Sequence, residues 1–135
     1  MNPVTPHTSS GKQLCFVGLV AALILISPPL FADKPRVVDV DIKKKSFLSG
    51  TRSILVTVEH MDEGWEHYAN NFEILTPDGK LIQKRVLAHP HVDEQPFTRD
   101  ARSVDIPDGI TEVLVRARDS KHGYGETVRV PLPEK

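Results

Sequence analysis

The residues of this chain most able to do chemistry are its histidines. His89-Pro90-His91 is the sharpest local arrangement: a residue before proline is pushed into extended conformations, and in extended chain residues i and i+2 project to the same side. Two imidazoles placed so could share one cation. Further ligands are available from His60, His67 and His122 or from a neighbouring carboxylate, which would make an all-nitrogen-and-oxygen site suited to zinc or copper(II). The same side chains also read as ordinary loop histidines hydrogen-bonded to Asp and Glu, with His60 closing the core, because no spacing here matches a diagnostic zinc signature.

Around the histidines lie Asp62, Glu63, Asp93, Glu94 and Arg99, with Trp65, Tyr68, Phe97 and Tyr124 among them. Such a mixture of imidazoles, carboxylates and aromatics is the composition of a ligand- or partner-binding surface. It does not amount to an enzyme motif. The chain has no serine in a nucleophile motif, no phosphate-cradling glycine loop and no dinucleotide fingerprint, so an enzyme is not expected; a metal-bound water with Glu63 or Glu94 as base is the catalytic alternative that stays open.

The elements that must position these residues announce themselves by alternation. Val38, Val40 and Ile42 mark a first strand; Ile54, Val56 and Val58 a second, whose face continues to His60; Phe72 and Ile74 a third. A fourth spans Lys80 to about Ala88. A polar stretch from His89 to Arg102 then reads as a long loop, with Phe97 docking it, before a short fifth strand at Val104 and Ile106. Val113, Val115 and Ala117 form the sixth, and Val128, Val130 and Leu132 the seventh. Pro77-Asp78-Gly79 and Pro107-Asp108-Gly109 are tight-turn signals, since proline presets φ and glycine accepts a positive one. Seven short strands with turn chemistry between them and no useful helical period predict an all-β, seven-stranded, immunoglobulin-like or fibronectin-III-like β-sandwich.

With antiparallel strands, connections alternate between the two ends of such a sandwich. The connections after the second, fourth and sixth strands then share one pole, and they or the adjoining strand ends carry His60, His67, His89, His91 and His122. The other pole holds none of these histidines.

Ahead of the strands, residues 1–32 have the layout of a secretory signal peptide. A polar start with one lysine is followed by an apolar run, Leu14 to Ile26, and by Ser27-Pro28-Pro29 before Leu30-Phe31-Ala32, which places cleavage after Ala32. The apolar run is shorter than the ~20 residues a membrane helix needs, so no membrane span is expected after cleavage. A periplasmic or secreted domain of residues 33–135 follows. Cys15 is the chain's one cysteine and would leave with the leader, which excludes thiolate zinc, iron–sulfur and blue-copper chemistry from the mature domain. Seventeen Lys and Arg against eighteen Asp and Glu give no electrostatic reason to expect a nucleic acid partner. Lys43-Lys44-Lys45 is the basic run, read as a solvated strand end.

The segments from His60 to Ala69, from His89 through Val92-Asp93-Glu94-Gln95-Pro96-Phe97-Thr98 to Arg99, and from Asp119 to Gly125 resemble a family of small exported bacterial proteins of unknown function. That resemblance implies an immunoglobulin-like fold and export, and brings no activity. Glu59-His60-Met61 with Glu66-His67-Tyr68 is also similar to the histidine-rich segment of superoxide reductases, immunoglobulin-like proteins that bind mononuclear iron through four histidines and a cysteine. The cysteine is missing here, so only a histidine-lined metal pole carries over. The expected function is a non-enzymatic binding or accessory domain of the cell envelope, recognising a protein or small ligand through that pole, with copper or zinc binding as the alternative.

Overall fold

The computed structural model describes residues 34–134, and the leader expected at residues 1–32 lies outside them. Seven strands follow one another: β1 (Arg36–Ile42), β2 (Arg52–Glu59), β3 (Ala69–Leu75), β4 (Leu81–Val86), β5 (Phe97–Val104), β6 (Glu112–Asp119) and β7 (Val128–Pro131). They form two antiparallel sheets, ordered β1-β2-β5 and β4-β3-β6-β7. Among the described residues no helix is long and apolar enough to cross a membrane.

Period-two alternation decides which side chains meet between the sheets. Ile54, Val56 and Val58 of β2 and Phe97 and Ala101 of β5 are buried from one side; Phe72 and Ile74 of β3 and Val113, Val115 and Ala117 of β6 close on them from the other. One apolar cluster joins both sheets, so the domain is a β-sandwich with a single core. The outer face of β3 is covered as well. Glu73 is buried there, with its carboxylate 2.8 Å from Arg116 Nη2, 3.0 Å from Lys84 Nζ and 2.8 Å from the Tyr124 hydroxyl.

The fifth strand corrects the sequence reading. The long polar loop expected up to Arg102 ends instead at Phe97, where β5 begins, and Ile106 falls after the strand. Thr98, Asp100 and Arg102 occupy the outward positions, so little but Phe97 and Ala101 advertises an apolar face. The register against β2 then shifts between the Arg52–Val104 and Ile54–Ala101 pairs, with Ser103 at a φ of 55°. This bulge returns Val104 to the core out of step with Phe97 and Ala101, so no uninterrupted alternation exists to be read.

The β2–β3, β4–β5 and β6–β7 connections meet at one end of the sandwich. The Ser120 amide donates to the Tyr68 carbonyl across two of them, and the His91 amide donates to Asp62 Oδ2 across another two. At this end the β6–β7 connection also presses on the start of β1. A Cβ at Gly125 would lie 1.8 Å from the carbonyl oxygen of buried Pro35, so only glycine fits.

Candidate metal centre

The inward face of β2 does not stop with its last valine. Two residues past Val58 comes His60, and two residues past Ala117, in the facing sheet, comes Asp119; both are buried. The two sheets therefore bring an imidazole and a carboxylate together where the apolar core ends, with His60 Nε2 3.3 Å from Asp119 Oδ2.

Asp119 is held by the chain it begins. Its Oδ1 accepts backbone N–H groups from Lys121 (3.2 Å), His122 (2.5 Å) and Gly123 (2.7 Å), and its own amide donates to the Gly123 carbonyl. Gly123 supplies the positive φ of 87° that closes this loop. The wrapping leaves Oδ2 pointing at the histidines. His67 Nε2 lies 2.9 Å from Oδ2 and His122 Nδ1 lies 3.1 Å from it, while those two nitrogens are 3.1 Å from each other. The His67 ring stands nearly perpendicular to both its neighbours, 87° to His60 and 76° to His122.

Each ring facing Glu63 or Asp62 is oriented from behind. His60 Nδ1 lies 2.6 Å from Asp62 Oδ1, and His67 Nδ1 lies 3.1 Å from Glu63 Oε2. A carboxylate on Nδ1 holds a proton there and leaves Nε2 as the nitrogen that faces the centre, to donate to Asp119 or, with its proton displaced, to bind a metal; this is the usual second contact of a metal-binding histidine. The Glu63–His67 geometry is set by a tight turn: the Glu63 amide donates to the His67 carbonyl, the His67 amide donates to the Gly64 carbonyl, and Gly64 takes a φ of 119°. Asp62 is shared more widely. Its Oδ1 also accepts the Ala69 amide at 2.9 Å, and its Oδ2 accepts the His91 amide at 2.7 Å.

The electrostatics favour a cation. Asp62 and Asp119 have fully buried side chains, and no Lys or Arg ion pair to either is found among the described residues. Burial opposes ionisation of Asp119, but the hydrogen bonds from His67, from the His122 side chain and from the loop amides outweigh it and hold its pKa down to about 2. Burial likewise opposes charge on His67, yet the hydrogen bonds and charges of Asp119 and Glu63 raise its pKa above 6.5. Positive charge between these carboxylates is therefore stabilised, whether a proton or a metal ion carries it.

Spacing fits the second carrier. In a tetrahedral site with bonds of about 2.0–2.1 Å, donor atoms sit about 3.3 Å apart along each edge. Four of the six edges among His60, His67, His122 and Asp119, all except His60–His67 and His60–His122, run from 2.9 to 3.3 Å. The ligating atoms of His60, His67 and Asp119 all fall within 4.8 Å of one another. Access comes from the side of His122, whose side chain is 32% exposed while those of His60 and His67 are buried.

The structure does not bring His89 and His91 into this group. Their rings lie side by side, 4.5 Å between centroids, as the extended His-Pro-His geometry leads one to expect. The His91 ring, however, stacks on Phe97 at 3.9 Å and is buried, and neither of its nitrogens meets a hydrogen-bonding group. Exposed His89 faces the Pro90 carbonyl. Glu94 pairs with Arg99 at 2.9 Å, Asp93 is exposed, and Trp65, itself exposed, meets Tyr68 edge to face at 5.8 Å. Tyr124 packs under the guanidinium of Arg116, 3.9 Å from ring centroid to Cζ. Two functional positions escaped the sequence reading. Asp119 carried a signal, being the next inward position after Val113, Val115 and Ala117. Gln95, whose side chain accepts the His60 amide and donates to the His91 carbonyl, carried none.

Beside the centre, a cleft of about 590 Å³ opens against His60 and Asp62, rimmed by Met61, Val92 and Arg36.

No family model matches the chain, and no solved structure matches it. Among curated proteins it is similar to one from Halomicrobium mukohataei named "Putative lipoprotein", 37% identical over 91 residues, or 66% of this chain. The chain spans 42% of the length of that relative.

Proposed function

We propose that this chain is an exported, non-enzymatic binding protein of the cell envelope that holds one divalent ion, zinc or copper(II), between His60, His67, His122 and Asp119. The observation that carries this reading is the convergence of three imidazole nitrogens, two from the β2–β3 connection and one from the β6–β7 connection, on one buried carboxylate oxygen. Three nitrogens and one oxygen suit either metal, and the Asp62 and Glu63 contacts behind the rings are what such a site needs. The sheet orders β1-β2-β5 and β4-β3-β6-β7 support an immunoglobulin-like arrangement of fibronectin-III type. Export is supported by the leader pattern of residues 1–32 and is in keeping with the name of the relative. The partner is a protein or small ligand of the envelope, and the cleft beside His60 is the surface that favours one.

The test is a titration of residues 33–135, stripped with chelator, with zinc and with copper(II). Calorimetry gives stoichiometry, and thermal unfolding gives the linkage. One equivalent is expected to bind. At a thousandfold excess over Kd the gain is about 4 kcal/mol, or roughly 15 °C or more in Tm for a domain of this size. His67→Ala and Asp119→Ala abolish the rise, whereas His89→Ala with His91→Ala leaves the stoichiometry at one. Absence of a stoichiometric ion in the wild type, or loss of it in the His89/His91 variant alone, overturns the assignment.

A further inference from the structure

At the pole away from the histidines, the β1–β2 connection carries the two most exposed large apolar side chains of the described residues. Phe47 is 101% exposed and Leu48 is 95% exposed. They do not sit on a loose loop. The Ser46 amide donates to the Thr51 carbonyl at 2.8 Å, the Gly50 amide to the Ser46 carbonyl at 2.9 Å, and Gly50 closes the turn with a φ of 71°. Below, the Arg52 guanidinium donates to the Lys43 carbonyl at 3.0 Å and the Lys43 amide to the Ser53 carbonyl at 2.9 Å, rooting the connection in the sandwich. A fixed turn thus holds a phenylalanine and a leucine side by side in water.

The charge carried by the connection itself has one sign, with Asp41 and Asp108 as acidic neighbours from outside it. From Lys43 to Arg52 the chain has Lys43, Lys44, Lys45 and Arg52 and no acidic residue. Lys43 pairs with Asp41, and Lys45 reaches Asp108 only at 3.9 Å. Lysines two to four residues ahead of an exposed apolar apex are the layout of an interfacial anchor: the apolar pair enters the boundary between headgroups and acyl chains, and the ammonium groups meet the phosphates. A protein partner fits less well. A stable interface needs about 800 Å² per side, and a convex apex of two side chains offers on the order of half that. A bilayer needs only to be entered.

We infer that the Lys43–Leu48 apex is a membrane-docking tip whose ligand is an anionic phospholipid surface. Docking there leaves the metal-binding end of the sandwich facing away from the bilayer, because the β1–β2 connection lies at the opposite pole.

The experiment is co-sedimentation of residues 33–135, which contain all seven strands and the whole core, with phosphatidylglycerol/phosphatidylcholine vesicles and with pure phosphatidylcholine vesicles. Wild type is expected on the anionic vesicles, with binding that falls as salt rises. Phe47→Ser with Leu48→Ser lowers the partition coefficient on the order of tenfold or more. Lys43→Gln, Lys44→Gln and Lys45→Gln together lower it on the order of 100-fold. Both variants keep the wild-type Tm, since the altered groups are exposed. Failure of the wild type to bind anionic vesicles overturns the inference. So does binding that survives Phe47→Ser/Leu48→Ser, or a concentration-dependent dimer that this double variant dissociates in place of vesicle binding.

Discussion

Asp62→Asn changes a single atom and separates a structural carboxylate from one that also serves the metal centre. Both oxygens of Asp62 face backbone donors, Oδ1 the Ala69 amide at 2.9 Å and Oδ2 the His91 amide at 2.7 Å. Whichever way an asparagine turns, its NH₂ meets a backbone N–H inside the protein. One buried backbone N–H then loses its acceptor and the new NH₂ is set against it, at about 1–3 kcal/mol for each donor, so the metal-free domain is expected to lose about 2–4 kcal/mol, on the order of 15 °C in Tm. The second effect falls on His60. If the NH₂ turns to the Oδ1 side, His60 Nδ1 must accept rather than donate, which moves the ring proton to Nε2 and blocks ligation; if it turns the other way, the ring keeps its tautomer but loses the anion behind it. Either outcome lowers zinc affinity, by about 10–100-fold for a contact of this kind. Urea unfolding in chelator reads the first effect, and competition against a chromophoric zinc chelator reads the second. Stability within about 0.5 kcal/mol of wild type would refute the burial argument. Unchanged zinc affinity in a destabilised variant would show that Asp62 braces loops and does not serve the metal.

Three further substitutions test other parts of the reasoning. Gly125→Ala places a Cβ against the Pro35 backbone, which cannot yield as a side chain would, and is expected to cost about 2 kcal/mol or more by urea unfolding. His91→Phe keeps the stack on Phe97 and removes two unpartnered ring nitrogens, so stability at pH 7.5 should be equal or higher. Burial, aided by Arg99 and His89, lowers the His91 pKa below 6.5; wild type therefore carries a penalty absent well above pH 6.5 that grows as the pH falls toward the folded-state pKa, and His91→Phe should remove that part of the acid destabilisation. Burial disfavours the Glu73 carboxylate, yet Arg116, Tyr124 and Lys84 hold its pKa below 4.5, so its contribution is present above pH 4.5 and is lost as the pH falls through the folded-state value. With Arg116 and Lys84 partly in water, Glu73→Gln should cost about 2 kcal/mol at pH 7, and the gap to wild type should shrink in acid titrations of unfolding.

The strands that alternate cleanly were legible in the sequence: Ile54-Val56-Val58 and Val113-Val115-Ala117 do face the core, and the turns at Pro77 and Pro107 join strands as their chemistry leads one to expect. β5 was not, because its outward positions are polar and a bulge at Ser103 breaks its period. Of the candidate site, the gathering of the histidine-bearing connections at one pole followed from antiparallel order alone. Which histidines join was not legible from local spacing. His89 and His91 are close in sequence and their rings do lie together, but the His91 ring is stacked on Phe97 and stands apart from the cluster around Asp119. His60 and His67 share one connection, but His122 and Asp119 are more than fifty residues further on and meet them only because two sheets close on each other.

That His60, one residue past β2, and Asp119, the last residue of β6, continue the inward faces of their strands makes half of the centre an extension of the packed interior, with His67 and His122 added by the loops. Its tunability follows from this. Val58 and Ala117 are the inward positions just before them, and their volumes set how closely the strand ends approach. A change of one or two methyl groups at either would alter the separation of His60 from Asp119 without touching a ligand. Discrimination between a small tetrahedral ion and one preferring a flatter, wider arrangement is thus adjustable by hydrophobic substitution alone, and a library aimed at altered metal preference belongs at Val58 and Ala117 before the histidine loops.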